Sequence, residues 1–412
     1  MFIIPIIFQL HHQVSSLTNI FISSISFMLS KLLLITKSAS LLGVYLSQLI
    51  SAIITPTSIY SNVLFTAKSH LLIYPCPSNI NYFYNIGFML AFSIVIQVIS
   101  GLLLTLYFIN TDGYFSLIYI IKEIYFGFIV RYLHTNNASF IFVLAFLHIG
   151  RNLYYRNYYY HIYIWFSGIF LFFLLIVISF LGYILSWGQI SYWGATVITN
   201  LLSIIPYFIK WISGNYYISV VSLKRYFIFH FILPFVLLIL LYIHIYYLHF
   251  ISSSNPLDFN NLDKIPFTNY LLLKDYFGFL LIFTFFCFQI FFIIFSLSHP
   301  DNLLTINYVV TPLHIIPEWY FLTLYSILKA IPNKNTGFIC IIIVLYVLIL
   351  FGEFKYQIAE YTKLMRLWSL FIIFILLLWI GCQLPQDLFI YYGRLCLYLY
   401  LLIISMHVTL IK

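Results

Sequence analysis

The sequence predicts an all-α polytopic membrane protein, an eight-helix transmembrane bundle with an N-terminal extension. Three observations carry that expectation. Of 412 residues, 63% are hydrophobic and only 7% are charged. Mean hydropathy over the whole chain is +1.04. Eight separate apolar stretches approach the roughly 20 residues that a spanning helix needs. A soluble domain carries about a quarter charged residues, so this chain cannot coat a globule in water. The net charge of +9 could suit nucleic acid, but the 19 basic residues are scattered and never form a patch, so no nucleic-acid partner is expected. Cys76, Cys287, Cys340, Cys382 and Cys396 sit singly among apolar residues, without the spacing of a zinc site or a disulfide framework.

Residues 1–66 are apolar and rich in Ser and Thr, and the first acid of the chain is Asp112. They lack the arginines of a transit peptide and read as a retained extension of unknown role, with one or two helices at 18–36 and 39–54. A first block, 67–270, holds apolar stretches at about 83–107, 138–153, 161–185 and 226–250. A second, 271–412, holds those at about 276–297, 337–354, 367–381 and 388–410. Two connections are long enough to carry structure of their own: Ser186 to Lys224, and Ser296 to Asn335 with Pro300, Pro312, Pro317 and Pro332. Lys and Arg divide almost evenly between the two sets of loops, so charge barely orients the bundle.

Histidine inside a span is a functional candidate. His134 and His148 lie in the second stretch and its approach, His230 and His244 in the fourth, each pair 14 residues apart. Fourteen helical residues return a side chain to within about 40° of its starting direction and climb roughly 21 Å. Two such helices facing each other would stack four imidazoles as two pairs, the ligand set of two six-coordinate, non-covalent b-type hemes. Zinc fits two distant pairs without further ligands poorly; histidines bonded to one another in a transporter are the other alternative. Gly87 and Gly101 in the first stretch, and Gly168 and Gly182 in the third, repeat the same interval. Small-residue helix packing could explain such glycines, but clearance for two flat macrocycles also explains the shared spacing. Arg131, Arg151 and Arg225 flank the histidines and could pair with heme carboxylates; Arg151 could equally be a helix-end charge.

The segments PSNI (77–80), RYLHTNNASF (131–140), LHIGRNLYY (147–155), GYILSWGQISYWGATVITNLLSIIPY (182–207), FHFILPF (229–235), HPDN (299–302), PEWYFL (317–322), IPNK (331–334) and WIGCQ (379–383) resemble the signatures of the mitochondrial cytochrome b family. The likeness covers about 67–412. It implies the diheme subunit of complex III, a quinol–cytochrome c oxidoreductase of the mitochondrial inner membrane that runs a proton-translocating Q cycle with ubiquinol and ubiquinone. One electron of the quinol would pass to a Rieske iron–sulfur protein and the other across the two hemes. His134 and His230 would hold the low-potential heme, and His148 and His244 the high-potential one. Glu318 would accept protons at quinol oxidation, in a pocket shaped by Tyr325 and the segment around Gly194. His249, Ser253, Lys274, Asp275 and Asn85 would form the quinone-reduction site, with His249 and Asp275 as proton donors. A c-type cytochrome, further complex III subunits, a second copy of the complex, supercomplex partners and lipid complete the implied surroundings.

The residues fit these roles physically. A carboxyl at a membrane edge has its proton affinity raised, which suits Glu318 to proton transfer, although it could instead cap a helix. His249, Lys274 and Asp275 could donate to a quinone carbonyl, or could be charges of a solvated loop. Departures from the family are local. Ser186 stands where proline is usual, which would loosen that turn; Asn137 and Asn152 stand in place of glycines, Asn137 in an expected turn after His134. The heavy Phe, Tyr, Ile and Asn usage fits an organellar gene of an AT-rich genome.

Overall fold

The computed structural model describes residues 73–257, 263–268, 270–292, 299–350 and 360–409, with Phe65, Lys68 and Ser69 before them. The expected helices at 18–36 and 39–54 lie outside the described residues. The chain divides into two compact units, Met1–Tyr74 and Pro75–Lys412. In the second, the described helices of eight residues or more are α1 (Ile86–Thr105), α2 (Gly113–Lys122), α3 (Gly127–Tyr154), α4 (Ile162–Leu185), α5 (Gln189–Leu201), α6 (Pro206–Ser213), α7 (Val220–Ile251), α8 (Leu271–Phe292), α9 (Leu322–Ala330), α10 (Lys334–Leu350), α11 (Glu360–Cys382) and α12 (Asp387–Thr409). Strands β1 (Pro75–Pro77) and β2 (Lys264–Pro266) pair antiparallel, Cys76 opposite Ile265.

A helix lies at each of the eight apolar stretches. Four spans among the described residues are long and apolar enough to cross a membrane alone: Tyr82–Thr105, α4, α7 and α8. A fifth is the pair α2 and α3, bent by 119°. The left-handed Phe126, at φ 59°, makes that bend. Shorter apolar helices, Lys334–Ile349 and Leu367–Cys382, follow among the described residues.

Hydropathy underestimates α3, which begins 11 residues before the apolar stretch at 138–153. Arg131, His134, Thr135, Asn136 and Asn137 hide it, yet their polar groups are absorbed without breaking the helix. The Thr135 hydroxyl donates to the Arg131 carbonyl at 3.1 Å. Asn137, expected in a turn, is a fully buried helical residue instead. Its Nδ2 donates to the Ser93 carbonyl and to Gln97 Oε1, both at 2.8 Å. Lipid offers backbone and side-chain polar groups no water, so such internal bonds are what allow them inside a span.

Helices α1 and α3 pack as one pair, and α4 and α7 as another. Ile94, Ile141, Ile178 and Leu237, one from each helix, form a shared buried cluster. Three of them lie midway along the 14-residue intervals: Ile94 between Gly87 and Gly101, Ile141 between His134 and His148, Leu237 between His230 and His244. An apolar layer therefore separates two polar levels. The loop before α9 is laid on this bundle by Tyr320, whose ring stacks on Phe142 at 4.1 Å and 6°.

Candidate cofactor and substrate sites

The two histidines of α3 meet the two of α7 level by level. His134 and His230 have ring centroids 6.3 Å apart, and His148 and His244 6.4 Å. Two metal–imidazole bonds of about 2 Å, added to the two half-rings, span roughly such a separation.

Hydrogen bonding selects the tautomer that a metal needs. His230 Nδ1 lies 2.9 Å from the Ile178 carbonyl, which can only accept, so Nδ1 carries the proton. Ser167 Oγ gives its hydrogen to the Ile164 carbonyl at 3.0 Å, leaving a lone pair for His244 Nδ1 at 2.8 Å. Ser100 Oγ likewise donates to the Ile96 carbonyl at 2.8 Å and accepts from His134 Nδ1 at 3.0 Å. In all three, Nε2 keeps its lone pair, and an outer partner fixes the ring as for a metal-bound imidazole. His148 Nδ1 is buried without a hydrogen-bond partner.

Each glycine of the repeated interval faces one of these rings. A Cβ at Gly101 would stand 3.0 Å from His134 Cε1, at Gly87 3.1 Å from His148, at Gly168 3.1 Å from His244 and at Gly182 2.5 Å from His230. Spacing alone suggests clearance for macrocycles; the structure gives the glycines a nearer duty, making a notch for each imidazole within its own helix pair. Among the described residues no three His, Cys, Asp or Glu side chains gather as a metal cage. Paired imidazoles, three of them with the tautomer set by an outer partner, and glycine clearance fit two bis-histidine hemes.

From the first pair a cavity with about 1380 Å³ of space free of protein atoms, its mouth included, runs to Glu318. Its lining includes His134, His230, Arg131, Gly101, Gly182 and Glu318. Arg131, three residues from His134, lies about 60° around the helix and reaches it. Arg225, five residues from His230, is turned about 140° away. The structure does not bring it to the cavity lining; its guanidinium donates to the Trp211 carbonyl at the end of α6. Glu318 is half-buried, and desolvation pushes its carboxyl up to about 7, with Arg131 drawing it partly back. Two lining groups that sequence reasoning missed, Tyr183 Oη and Asn136 Nδ2, are buried without a hydrogen-bond partner. The expected Gly194 lies against Tyr183, its Cβ position 3.6 Å from the ring. Tyr325 is outside this lining, its ring beneath Lys329 Nζ at 4.5 Å.

Near the second pair, Arg151 stacks over the Tyr84 ring at 4.6 Å and donates to Asn152 Oδ1 at 2.7 Å. Asn85 Nδ2 is buried without a hydrogen-bond partner. Asp275 is buried on α8, and Gly278, one turn on, faces Asn85. Lys274 Nζ donates to the Ile80 carbonyl at 2.9 Å and lies over the Tyr82 ring. The Cys76 thiol, placed by the β1–β2 ladder, feels Asp275 and has the Ser253 hydroxyl as a hydrogen-bond partner; burial pushes it up to about 11. His249 lies in the last turn of α7.

Comparison with known proteins is consistent along the chain. Residues 71–252 match the family model described as Cytochrome b/b6/petB, and 305–401 match Cytochrome b(C-terminal)/b6/petD. The chain is 47% identical over 342 residues to the cytochrome b of Plasmodium vivax (strain Salvador I), covering 80% of this chain and 89% of that one. It is 40% identical over 351 residues to the cytochrome b of Toxoplasma gondii, covering 81% and 94%. A solved structure titled hyperthermophilic respiratory complex III superposes with a TM-score of 0.77 at 28% identity, over 84% of this chain and 95% of that one.

Proposed function

The chain belongs to the cytochrome b family, and from that premise we propose that it is the diheme subunit of a respiratory complex III that oxidises ubiquinol at one membrane face and reduces ubiquinone at the other. The observation that carries this reading is the meeting of two imidazole pairs, 6.3 and 6.4 Å apart, on α3 and α7. His134 and His230 would hold one heme, and His148 and His244 the other, with Arg131 and Arg151 as partners of the cofactor carboxylates. When bound, each b heme would supply a one-electron centre for electron transfer.

The protein groups manage protons and orientation. Glu318 takes a proton from the quinol hydroxyl; with its carboxyl held up to about 7, it can both accept that proton and release it near neutral pH. Tyr183 and Asn136 offer hydrogen bonds to the bound ring, Gly194 leaves Tyr183 room, and Tyr325 shapes the pocket's approach. At the other face Asp275 and His249 donate protons to the quinone, while Lys274, Ser253 and Asn85 orient its carbonyls. The expected setting is a Q cycle in the mitochondrial inner membrane, in a dimeric complex with a Rieske iron–sulfur protein and a c-type cytochrome.

The test is a dithionite-reduced minus oxidised spectrum of the assembled complex. Two b-type components that reduce at different potentials are expected, and His148→Ala should remove one of them. A folded complex without b-type absorption, or one keeping both components in the variant, would sink the assignment.

A further inference from the structure

Where the connection after α8 meets the end of α4, one side chain joins two helices. Helix α5 starts from Gly188, a residue with no side chain to cap it. Asn302 supplies the cap from outside, its Oδ1 accepting from the Ser191 N–H at 3.1 Å. Such an approach requires glycine: a Cβ at 188 would stand 2.1 Å from the Asn302 carbonyl oxygen. The other end of the same amide, Nδ2, donates to Ser186 Oγ at 3.0 Å. Ser186 in turn donates to the Tyr183 carbonyl at 2.8 Å. Between the two gripped helix ends Trp187 is held at φ 50°, a conformation that a bulky residue keeps only when its surroundings enforce it. Gln189 fastens the far end of the segment, its Oε1 accepting from the Asn307 N–H at 2.7 Å and its Nε2 donating to the Val310 carbonyl at 3.0 Å.

Ser186 and Asn302 both line the cavity that holds Glu318 and Tyr183. We propose that the Ser186–Asn302 hydrogen bond is a latch that seats the 299–310 segment against the end of α4, and that Ser186 is thereby a positioning residue for the quinol. The proposal rests on reading the Glu318 end of this cavity as the quinol-oxidation site, the histidine end being the heme's. Ser186 spends its proton on the Tyr183 carbonyl and a lone pair on Asn302, so it acts through Tyr183 and the cavity wall.

The test uses membranes carrying the assembled complex with Ser186→Ala, Asn302→Ala, the double variant and Ser186→Thr. Quinol KM and kcat are measured with amide exchange over 299–310. Each alanine variant should raise KM about fivefold with kcat changed less than about twofold, and should speed exchange about tenfold. The double variant should be no worse than Asn302→Ala alone, because with Asn302 gone Ser186 has no further bond to that segment to lose. Ser186→Thr, which keeps the hydroxyl, should restore both readouts. Additive single effects, unchanged exchange in Ser186→Ala, or faster exchange with KM unmoved would each overturn the proposal. A parent complex that holds both hemes yet oxidises no quinol would instead sink the functional reading beneath it, a result visible before any variant is made.

Discussion

The two histidine levels share the same helices, the same interval and nearly the same ring separation, yet their surroundings are opposite in character. At the level of His134 and His230, both Nδ1 atoms are engaged, and the adjoining cavity holds the half-buried carboxyl of Glu318 with unpartnered groups of Tyr183 and Asn136. At the level of His148 and His244, only His244 has an engaged Nδ1, and unpartnered nitrogens of His148, Arg151 and Asn85 gather with Lys274 and Asp275 nearby. On the proposed reading, the shared ligand geometry would hold the same cofactor at both levels, and the surrounding residues would set the direction of proton flow, with an acceptor at one level and donors at the other.

The largest expected break in this comparison is Glu318→Gln, which removes the acceptor while keeping the shape. Quinol oxidation should fall about 100-fold, within the range of general base catalysis, with quinone reduction at the other face unchanged. The same residue sets a pH dependence. Its carboxyl loses its proton as pH rises through about 7, so the parent rate should climb across that value and the variant's should not. A variant profile that still climbs there would assign the titration to another group.

A smaller effect separates the levels by sterics. An added methyl at Gly182 would stand 2.5 Å from His230, whereas one at Gly87 would stand 3.1 Å from His148. Gly182→Ala should displace its imidazole and strip one b-type component from the purified complex, while Gly87→Ala should retain both. Equal loss in the two variants, read from absorbance per complex, would mean that these notches serve helix packing alone. The smallest expected change is at the outer partners. Ser100→Ala and Ser167→Ala should each weaken retention of the adjacent heme about tenfold, measured by transfer to an apo heme acceptor. His148 has no such partner to lose, so no single serine change should reach that ligand.

Much of this site is readable from residue spacing because 14 residues is close to a whole number of helical turns. The histidine and glycine intervals therefore survive in the sequence as plain arithmetic. The rest is hidden for physical reasons. The first third of α3 is too polar to look like a span, although Asn137 and Thr135 satisfy themselves inside it. Ser100 and Ser167 read as interruptions of apolar helices until their Nδ1 partners are seen. Arg131 and Arg225 look equivalent beside their histidines, but two residues of helical phase send one into the cavity and the other away from it. Tyr183, Asn136 and Asn302 fall inside signature segments, but only their three-dimensional position shows which groups each one meets.

The glycine notches have a consequence for assembly. Gly87 and Gly101 receive the rings of α3, and Gly168 and Gly182 those of α7, so every notch closes within α1–α3 or within α4–α7. Each hairpin thus shapes its own pair of ligands. The four-helix cluster of Ile94, Ile141, Ile178 and Leu237 joins the halves, but apolar contact adds little cohesion where the solvent is itself hydrocarbon. A metal held between His134 and His230, or between His148 and His244, would tie one helix pair to the other. On the proposed reading, the prosthetic groups would serve as rivets between the helix pairs as well as redox centres.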